Sequence, residues 1–167
     1  RMGTVVALAG QVGGAKLAEG LYRVRGKDLA VIVNTGDDYE HLGLRFCPDL
    51  DTVFYTLAGI ANPATGWGRV NESWNVIENA SKLGGPAWFR LGDQDLGTHL
   101  ERTRRLREGQ CLSDVTSDFC RSWGVKHTVL PMSNSPVRTI GGGASVARSS
   151  FRSPETLRLT NPTGRSL

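Results

Sequence analysis

The hydrophobic positions near the start of the chain change their spacing twice. Residues 4–9 (TVVALA) form a continuous apolar run, which is typical of a buried strand. Glycines follow, and the next apolar residues recur at helical spacing, as Leu17, Leu21 and Val24. Residues 29–33 form a second apolar run that is rich in β-branched side chains and favours another strand. The order strand, helix, strand predicts parallel pairing and therefore an α/β fold class.

The pattern beyond these strands predicts further helices and one more strand. A polar, acidic loop comes first, and helical spacing then covers residues 51–59, 71–83, 95–107 and 112–123. Residues 127–130 are the last strand-like run. From residue 141 to 167 only 7 of 27 residues are apolar, too few to offset the entropy lost on ordering the chain. We therefore interpret residues 1–140 as one domain and expect residues 141–167 to form a disordered tail.

The net charge of +4 at pH 7 changes its meaning once it is located along the chain. Residues 1–132 carry 15 Lys and Arg against 15 Asp and Glu, so the whole excess lies in residues 133–167. A neutral body without a nucleic-acid-binding motif argues against DNA or RNA as a partner. No apolar run approaches the roughly 20 residues that span a bilayer, and no secretory signal is visible. We expect a protein of the cytoplasm without a membrane partner.

Three glycines between the first strand and the first helix suggest an anion-binding turn: Gly10, Gly13 and Gly14. Small residues at a helix N-terminus leave backbone N–H groups free to face a phosphate, and the helix dipole favours its charge. The spacing G-x-x-G-G, however, matches neither the dinucleotide-binding motif nor the P-loop. A tight turn without a ligand explains the glycines equally well.

Five acidic residues lie close together after the second strand: Asp37, Asp38, Glu40, Asp49 and Asp51. Carboxylates at the carboxyl ends of parallel strands sit where α/β folds bind ligands, and Mg²⁺ takes such groups beside substrate phosphates. Asp38 and Asp51 are our leading metal ligands, followed by Asp37. Two other interpretations stay open, namely Asp51 as the N-cap of the next helix and Asp37 as the partner of a ribose hydroxyl.

Three tryptophans lie among glycines and polar residues rather than in periodic apolar runs: Trp67, Trp74 and Trp88. Aromatic faces bordered by polar groups can hold a flat heterocycle and orient its hydroxyl groups. The polar residues near them in sequence are Asn71, Arg90, Asp93 and His99. Simple packing of the tryptophans is the alternative interpretation.

Other reactive residue types carry weaker signals. In the basic segment 101–108, Glu101 precedes Arg105 and Arg104 precedes Glu108 by four residues, which predicts ion pairs on a solvated helix face. The three cysteines are an odd number without CxxC spacing, which argues against both a disulfide framework and a zinc site.

Long segments of the sequence resemble the 2-phospho-L-lactate transferase family in order and spacing. The resemblance covers residues 4–139 and is carried by AGQVGGAKLAEGLYRV, VIVNTGDDYEHLGLRFCPDLDTVFYTLAG, NPATGWGRVNESW, WFRLGDQDLGTHLERTRRL and LPMSNSPVRT. It implies a Rossmann-like enzyme that transfers a phospholactyl or phosphoenolpyruvyl group from a guanosine diphosphate conjugate to the ribityl hydroxyl of the deazaflavin Fo. This reaction belongs to coenzyme F-420 biosynthesis and releases GMP. Mg²⁺ is the implied cofactor, and a homodimer is implied for the full-length family.

The same resemblance assigns roles to residues of this chain. The metal-binding aspartates fall in GDD and PDLD, which gives the candidates Asp37, Asp38, Asp49 and Asp51, with Asp38 and Asp51 as the catalytic pair. The residues that the resemblance assigns to diphosphate binding are Gly10, Gly13, Gly14, Lys16, Asn34 and Thr35. The residues that it assigns to deazaflavin binding are Trp67, Asn71, Trp88, Arg90, Asp93 and His99. Positioning the hydroxyl and neutralising charge supply most of the rate in such a reaction.

Two departures from the family pattern bear on activity. Gln11 stands where the family normally has a further glycine, and a side chain there narrows the approach of a phosphate. Family members are also usually considerably longer, so we expect a truncated or frame-shifted chain with an incomplete fold. Three alternatives follow: an inactive remnant, a related nucleotide-sugar-binding regulator, or a nicotinamide-dependent dehydrogenase, which the glycine spacing disfavours.

Overall fold

A computed structural model describes residues 3–86 and 88–137 of the chain. The elements follow in the order β1 (Val5–Ala9), α1 (Gln11–Arg25), β2 (Leu29–Val33), β3 (Tyr39–His41), β4 (Leu44–Phe46), α2 (Pro48–Leu57), α3 (Asn75–Lys82), α4 (Asp93–Arg107), α5 (Leu112–Ser122) and β5 (Thr128–Pro131). A short 3-10 turn, Gly26–Asp28, joins α1 to β2. The predicted tail, residues 141–167, lies outside the described residues.

Three parallel strands form the central sheet in the order β1, β2, β5. Val5 pairs with Leu29 at one end of the sheet, and Val33 pairs with Pro131 at the other. This confirms the predicted β-α-β unit and the α/β class with a Rossmann-like parallel sheet. Because the strands are parallel, the loops that follow β1, β2 and β5 emerge at one edge, where α/β folds bind their ligands.

The two faces of this sheet differ in cover. One face is buried under α1, α2 and α5 and carries small and β-branched side chains: Ala7, Ala9, Val31, Val33 and Val129. On the other face Val6, Leu8 and Leu130 are 57%, 75% and 39% exposed. Parallel sheets normally carry helices on both faces. Within the described ranges, helices cover one face only.

Helix α1 begins at Gln11, earlier than predicted, so Gly13 and Gly14 lie inside the helix rather than in a turn. A Cβ at Gly14 would lie 2.9 Å from the Cα of Ala9, so glycine there lets α1 pack directly against β1. A Cβ at Gly13 would meet no atom within 4 Å. Only Gly10 therefore connects the strand to the helix.

Residues 39–46, predicted as part of a polar loop, form an antiparallel hairpin of β3 and β4. Leu42 and Gly43 turn the chain, both with positive φ, at 53° and 71°, which is the geometry of a two-residue hairpin turn. Phe46 at the end of β4 packs with Phe89 and Leu91 in a second, smaller apolar cluster. The N–H of Arg45 in β4 donates to Thr103 Oγ1 of α4 at 2.8 Å, so the hairpin packs against α4.

The four later helices exist as predicted, but only α5 begins at the predicted residue, Leu112. Helix α2 begins at Pro48, which places Asp51 in its first turn, so the interpretation of Asp51 as an N-cap is wrong. Helix α3 begins at Asn75, because Asp93 accepts the N–H groups of Asn75 and Val76 at 3.0 Å each. Of the helices in residues 3–86 and 88–137, none is long and apolar enough to cross a membrane.

Candidate functional site

The loops after β1 and β2 meet around Asn34. Its backbone N–H donates to the carbonyl of Ala9 at 2.9 Å, which ties the two strand ends together. Its side-chain Nδ2 donates to Asp37 Oδ2 at 3.0 Å and to Asp49 Oδ2 at 2.7 Å. The N–H of Gln11 donates to the other oxygen of Asp49 at 2.8 Å. We call Gln11, Asn34, Asp37 and Asp49 the Asn34 cluster.

The Asn34 cluster borders a cavity of about 460 Å³ at the carboxyl edge of the sheet. The other lining residues include the apolar side chains of Leu8, Ile32 and Met132. An apolar wall beside a few placed polar groups is typical of a small-molecule site, and this edge is where α/β folds bind ligands. We call this space the first cavity.

Asp37 and Asp49 bring two carboxylates to one amide nitrogen. Partial burial raises the pKa of Asp37 and the charge of Asp49 raises it further, against the hydrogen bond from Asn34. Neither carboxylate forms an ion pair with a Lys or Arg of the described residues. The pair therefore has the oxygen donors and the uncompensated charge that a divalent cation such as Mg²⁺ takes.

The structure brings only some of the predicted phosphate-binding residues to the first cavity. Gly10 and Asn34 line it, whereas Gly13, Gly14 and Lys16 lie further along α1 and are not among its lining residues. Thr35 is only 1% exposed, and its Oγ1 has no hydrogen-bond partner within the described part of the chain. The available polar edge therefore consists of Gly10 and the Asn34 cluster.

Gln11 adopts a backbone conformation that favours glycine. Its φ is +53°, in the left-handed region, where a residue with a Cβ is strained. Its N–H is bonded to Asp49, so the first amide of α1 already faces a carboxylate. The residue at which the sequence is expected to depart from the family pattern is thus strained and lies at the rim of the first cavity.

Asp38, although adjacent to Asp37, belongs to a different environment. Its Oδ2 accepts hydrogen bonds from Arg45 Nη2 and Cys47 Sγ, each at 3.1 Å. The side chain is 1% exposed, and Oδ1 has no partner within residues 3–86 and 88–137. Burial raises the pKa of Asp38 to about 6, although Cys47 and Arg45 both lower it. Asp38 is therefore a buried acid rather than part of the open Asn34 cluster.

Asp51 lies in a second polar group, centred on Arg102 of α4. The guanidinium of Arg102 donates to both carboxylate oxygens of Asp51. Arg102 is only 1% exposed. Arg102 Nη1 also lies 3.2 Å from His99 Nδ1. Asp95 Oδ1 lies 3.5 Å from His99 Nε2 and accepts the hydroxyl of Tyr55 at 2.7 Å. We call these five residues the Arg102 cluster.

The Arg102 cluster contains three groups that could share a metal ion. One donor atom each from Asp51, Asp95 and His99 lies within 4.8 Å of the others. Burial, the largest single effect, lowers the pKa of Arg102, but the charge of Asp51, the hydrogen bond to it and the smaller effects of Cys47 and Tyr55 together raise the pKa, so the guanidinium stays charged. Adding a second cation beside a buried, fixed guanidinium is costly. The arrangement therefore does not favour a metal at Asp51, although the sequence made this residue a leading ligand.

A second cavity of about 410 Å³ opens beside the Arg102 cluster. Trp67, Asn71 and Arg90, all predicted to face the deazaflavin, line it together with Asp95. Trp74 lines it too, and the guanidinium carbon of Arg90 lies 4.0 Å from a Trp74 ring centroid. The structure thus brings three of the six predicted residues to one aromatic-walled space, which we call the second cavity.

The other three predicted residues do not line the second cavity. Asp93 accepts hydrogen bonds from Ser73 and from the first two N–H groups of α3, and these bonds lower its pKa to about 2. Trp88 packs edge-on against His41, with 5.0 Å between ring centroids. His99 is buried in the Arg102 cluster. It lines a small pocket of about 40 Å³ that shares Trp67 and Asp95 with the second cavity.

Arg102 is not among the predicted site residues, because the charge spacing of segment 101–108 is that of a solvated helix face. A signal was present: Asp95, His99, Arg102 and Leu106 recur at intervals of four, three and four residues, which places them on one face of α4. Leu106 packs against the main core, so this face points inward. A run of polar residues in register with a core leucine indicates a buried polar cluster.

The predicted ion pairs of segment 101–108 are confirmed in part. Arg104 lies 2.6 Å from Glu108 and 2.8 Å from Glu101. Arg105, predicted to pair with Glu101, pairs instead with Asp118 of α5. The side chain of Arg105 therefore joins two helices rather than extending along one.

Comparison with known proteins agrees with the resemblance in the sequence. A profile of the family described as 2-phospho-L-lactate transferase CofD matches residues 5–145. The phosphoenolpyruvate transferases of Kitasatospora aureofaciens and Streptomyces griseus are 46% and 47% identical, and each alignment covers 81% of this chain and 43% of the relative. The phosphoenolpyruvate transferase of Mycobacterium ulcerans is 42% identical, with 81% and 45% covered. The chain spans less than half the length of these relatives.

Proposed function

Because this chain belongs to the 2-phospho-L-lactate transferase family, we propose that it acts in coenzyme F-420 biosynthesis as a transferase of a phospholactyl or phosphoenolpyruvyl group. The proposed donor is a guanosine diphosphate conjugate, the acceptor is the ribityl hydroxyl of Fo, and GMP is released. The observation that carries the proposal is the family match over residues 5–145, which include the lining residues of both cavities.

We assign the donor to the first cavity. Its apolar wall of Leu8, Ile32 and Met132 suits a nucleoside, while Gly10 and the carboxylates of Asp37 and Asp49, which would hold the metal, form a polar edge beside the diphosphate. No covalent chemistry is required of these residues, because in-line positioning and charge compensation account for most of the rate of phosphoryl transfer. The role of this part of the chain is then to hold the donor at the sheet edge.

Mg²⁺, the cofactor that the family implies, fits the Asn34 cluster better than the Arg102 cluster. Asp37 and Asp49 would hold it, since both offer carboxylate oxygens at the first cavity without a cationic partner in the described residues. Bound there, the ion would compensate the negative charge of the diphosphate and of the departing GMP. Asp38 and Asp51 then have supporting roles as buried groups. Asp38 binds Arg45 of the hairpin, and Asp51 binds Arg102 of α4.

We assign the acceptor to the second cavity. Trp67 and Trp74 offer aromatic faces to a flat ring, and Asn71 offers hydrogen bonds to its polar edge. The ribityl oxygen attacks the phosphorus atom of the transferred group, and a new P–O bond forms. The bond between that phosphorus and the bridging oxygen of GMP breaks. GMP leaves with the electron pair of that bond, and the hydroxyl proton passes to water.

A transfer assay tests this proposal directly. The purified chain is incubated with Fo, Mg²⁺ and each guanosine diphosphate conjugate, and we expect Fo to gain the mass of one transferred group per GMP released. Asp37→Asn should lower the rate at least about tenfold, a loss of about 1.4 kcal/mol in transition-state stabilisation. Asp114→Asn, which changes an exposed acid of α5, is the matched control and should not change it. Absence of both transfer and calorimetric binding of Fo and donor would reject the proposal.

A further inference from the structure

The second cavity is lined by a cation that the proposed mechanism does not use, Arg69. Arg69 lies in the connection between α2 and α3, where it forms an antiparallel bridge with Ala61. The N–H of Val70 donates to the carbonyl of Ile60 at 3.0 Å, which extends this two-stranded contact. The backbone around Arg69 is therefore fixed, although the segment has no regular secondary structure of its own.

Two aromatic rings hold the side chain of Arg69. Its guanidinium carbon lies 5.6 Å from the ring centroid of Tyr55 on α2 and 5.4 Å from that of Trp123 at the end of α5. Both distances fall within the range of cation–π attraction. Its Nε is buried and has no hydrogen-bond partner in the described part of the chain. The rings thus orient the guanidinium while leaving its N–H groups unused.

The other charged groups that line this cavity are already engaged. Glu72 accepts two backbone N–H groups at the start of α4, at 2.8 and 2.9 Å. Asp95 is held within the Arg102 cluster, and Arg90 lies 3.7 Å from Glu78. The guanidinium of Arg69 forms no hydrogen bond or ion pair with residues of the ranges 3–86 and 88–137. Burying a cation without an anionic partner is unfavourable. Because no described residue supplies that partner, the position of Arg69 suits an anionic ligand.

We propose that Arg69 is the anion-binding residue of the second cavity and selects a planar heterocycle whose edge carries a negatively charged or carbonyl oxygen. The guanidinium fork matches two oxygens in one plane, and the walls of Trp67, Trp74 and Phe89 take the faces of the ring. A cavity of about 410 Å³ accommodates a ligand of this size. Equating this heterocycle with the acceptor Fo rests on the proposed function.

The test uses two ligands that share one ring, orotate and uracil, since orotate adds a carboxylate to the uracil ring. Binding to the purified chain is measured by ligand-observed NMR at constant ionic strength, and Fo is titrated separately by calorimetry. We expect the wild-type chain to bind orotate at least tenfold more tightly than uracil. Arg69→Met should bind the two within twofold of each other and should weaken Fo at least tenfold. Arg69→Lys, which keeps the charge without the fork, should give an intermediate preference.

Arg121→Met is the matched control, because Arg121 is 75% exposed on α5 and its loss changes the net charge equally. It should keep the wild-type preference for orotate. Thermal unfolding of each variant shows whether Arg69→Met is folded. If it is not folded, the preference of Arg69→Lys for orotate over uracil is used to test the proposal. Equal binding of orotate and uracil by the wild-type chain, or an unchanged preference in folded Arg69 variants, would overturn the proposal. An Arg69-dependent preference without any binding of Fo would support the anion site and reject Fo as the ligand of this cavity.

Discussion

The Asn34 cluster and the Arg102 cluster draw on the same short acidic stretch of sequence but use it in opposite ways. In the Asn34 cluster, Asp37 and Asp49 accept hydrogen bonds from neutral N–H groups and border an open cavity. In the Arg102 cluster, Asp51 is enclosed against a guanidinium that is 1% exposed. The first contains carboxylates without a cationic partner among the described residues, whereas in the second the charge of Asp51 is compensated by Arg102.

This difference indicates that the partner of a carboxylate, and not its neighbours in sequence, decides what the carboxylate can do. Arg102 joins α4 to α2 through Asp51 and reaches the β4 backbone through the carbonyl of Arg45, at 3.3 Å. Such a buried pair is strongly destabilising to break, yet it has little charge left for a ligand. Asp37 and Asp49 accept hydrogen bonds from neutral groups only, so they have more charge to offer to a ligand. Substitutions in the two clusters can challenge this division.

The largest effect is expected from Arg102→Met. The substitution leaves Asp51 buried without its positive partner, and breaking a buried pair in this way lowers the free energy of unfolding by about 3–5 kcal/mol. Urea denaturation of the wild type and the variant measures it. Arg104→Met on the same helix is the control, because Arg104 is 54% exposed and its pairs should contribute less than about 1 kcal/mol. Equal losses for the two variants would show that the Arg102 cluster is not closed to water.

Asp38 tests whether burial, rather than position in the acidic stretch, sets the charge of a carboxylate. Its folded pKa of about 6 lies above the ordinary 3.8, so the folded protein binds the proton more tightly than the unfolded chain. The resulting stability is complete below the unfolded pKa and is lost as the pH rises through the folded pKa. The difference between the two pKa values corresponds to at most about 3 kcal/mol of unfolding free energy.

The comparison of wild type with Asp38→Asn isolates this contribution, because asparagine does not titrate. In chelator-containing buffer we expect the variant to gain stability relative to wild type, by up to about 3 kcal/mol, between about pH 4 and pH 7. Asp37→Asn is the matched control from the open cluster, and its relative gain should be clearly smaller. A difference in unfolding free energy that does not change with pH would place Asp38 among the normally ionised acids.

Metal binding should separate the two clusters more finely. If Mg²⁺ binds the folded Asn34 cluster, an ion concentration of about ten times Kd raises the free energy of unfolding by about 1.4 kcal/mol. Asp37→Asn should abolish this increment, whereas Asp51→Asn should be less stable overall and still show it. Thermal unfolding with Mg²⁺ and with chelator measures both values. The reverse result, an increment lost only in Asp51→Asn, would assign the metal to the Arg102 cluster.

The β-α-β unit could be predicted because its signals are local. The apolar run of residues 4–9, the helical spacing after it and the β-branched run of residues 29–33 each report on one element. The same reasoning grouped Trp67, Asn71 and Arg90, which lie in the two connections on either side of α3 and line one cavity. Short-range patterns were sufficient wherever the structure is built from neighbours in sequence.

Long-range pairing accounts for what was missed. Asp51 and Arg102 are 51 positions apart, so nothing in the acidic stretch shows that a guanidinium will occupy Asp51. The hairpin of β3 and β4 has strands of only three residues each, too short for alternation to stand out among charged residues. The turn of the hairpin could not be predicted either. Leu42 has a positive φ of 53°, whereas Gly, Asn and Asp are the residues that normally indicate such a turn.

The smallest effect is expected at Gln11, where the Asn34 cluster meets the strained start of α1. Gln11→Gly removes a side chain from a φ of +53°, and relief of that strain should raise the free energy of unfolding by about 1 kcal/mol or less, since glycine also loses more entropy on folding. The same change should tighten binding of GDP, measured by calorimetry, because it widens the rim of the first cavity. Gln11→Ala separates the two causes: it shortens the side chain but keeps the Cβ and hence the strain. If alanine stabilises the fold as much as glycine does, backbone strain is not the cause. If neither variant binds GDP more tightly, the Gln11 side chain lies clear of the diphosphate.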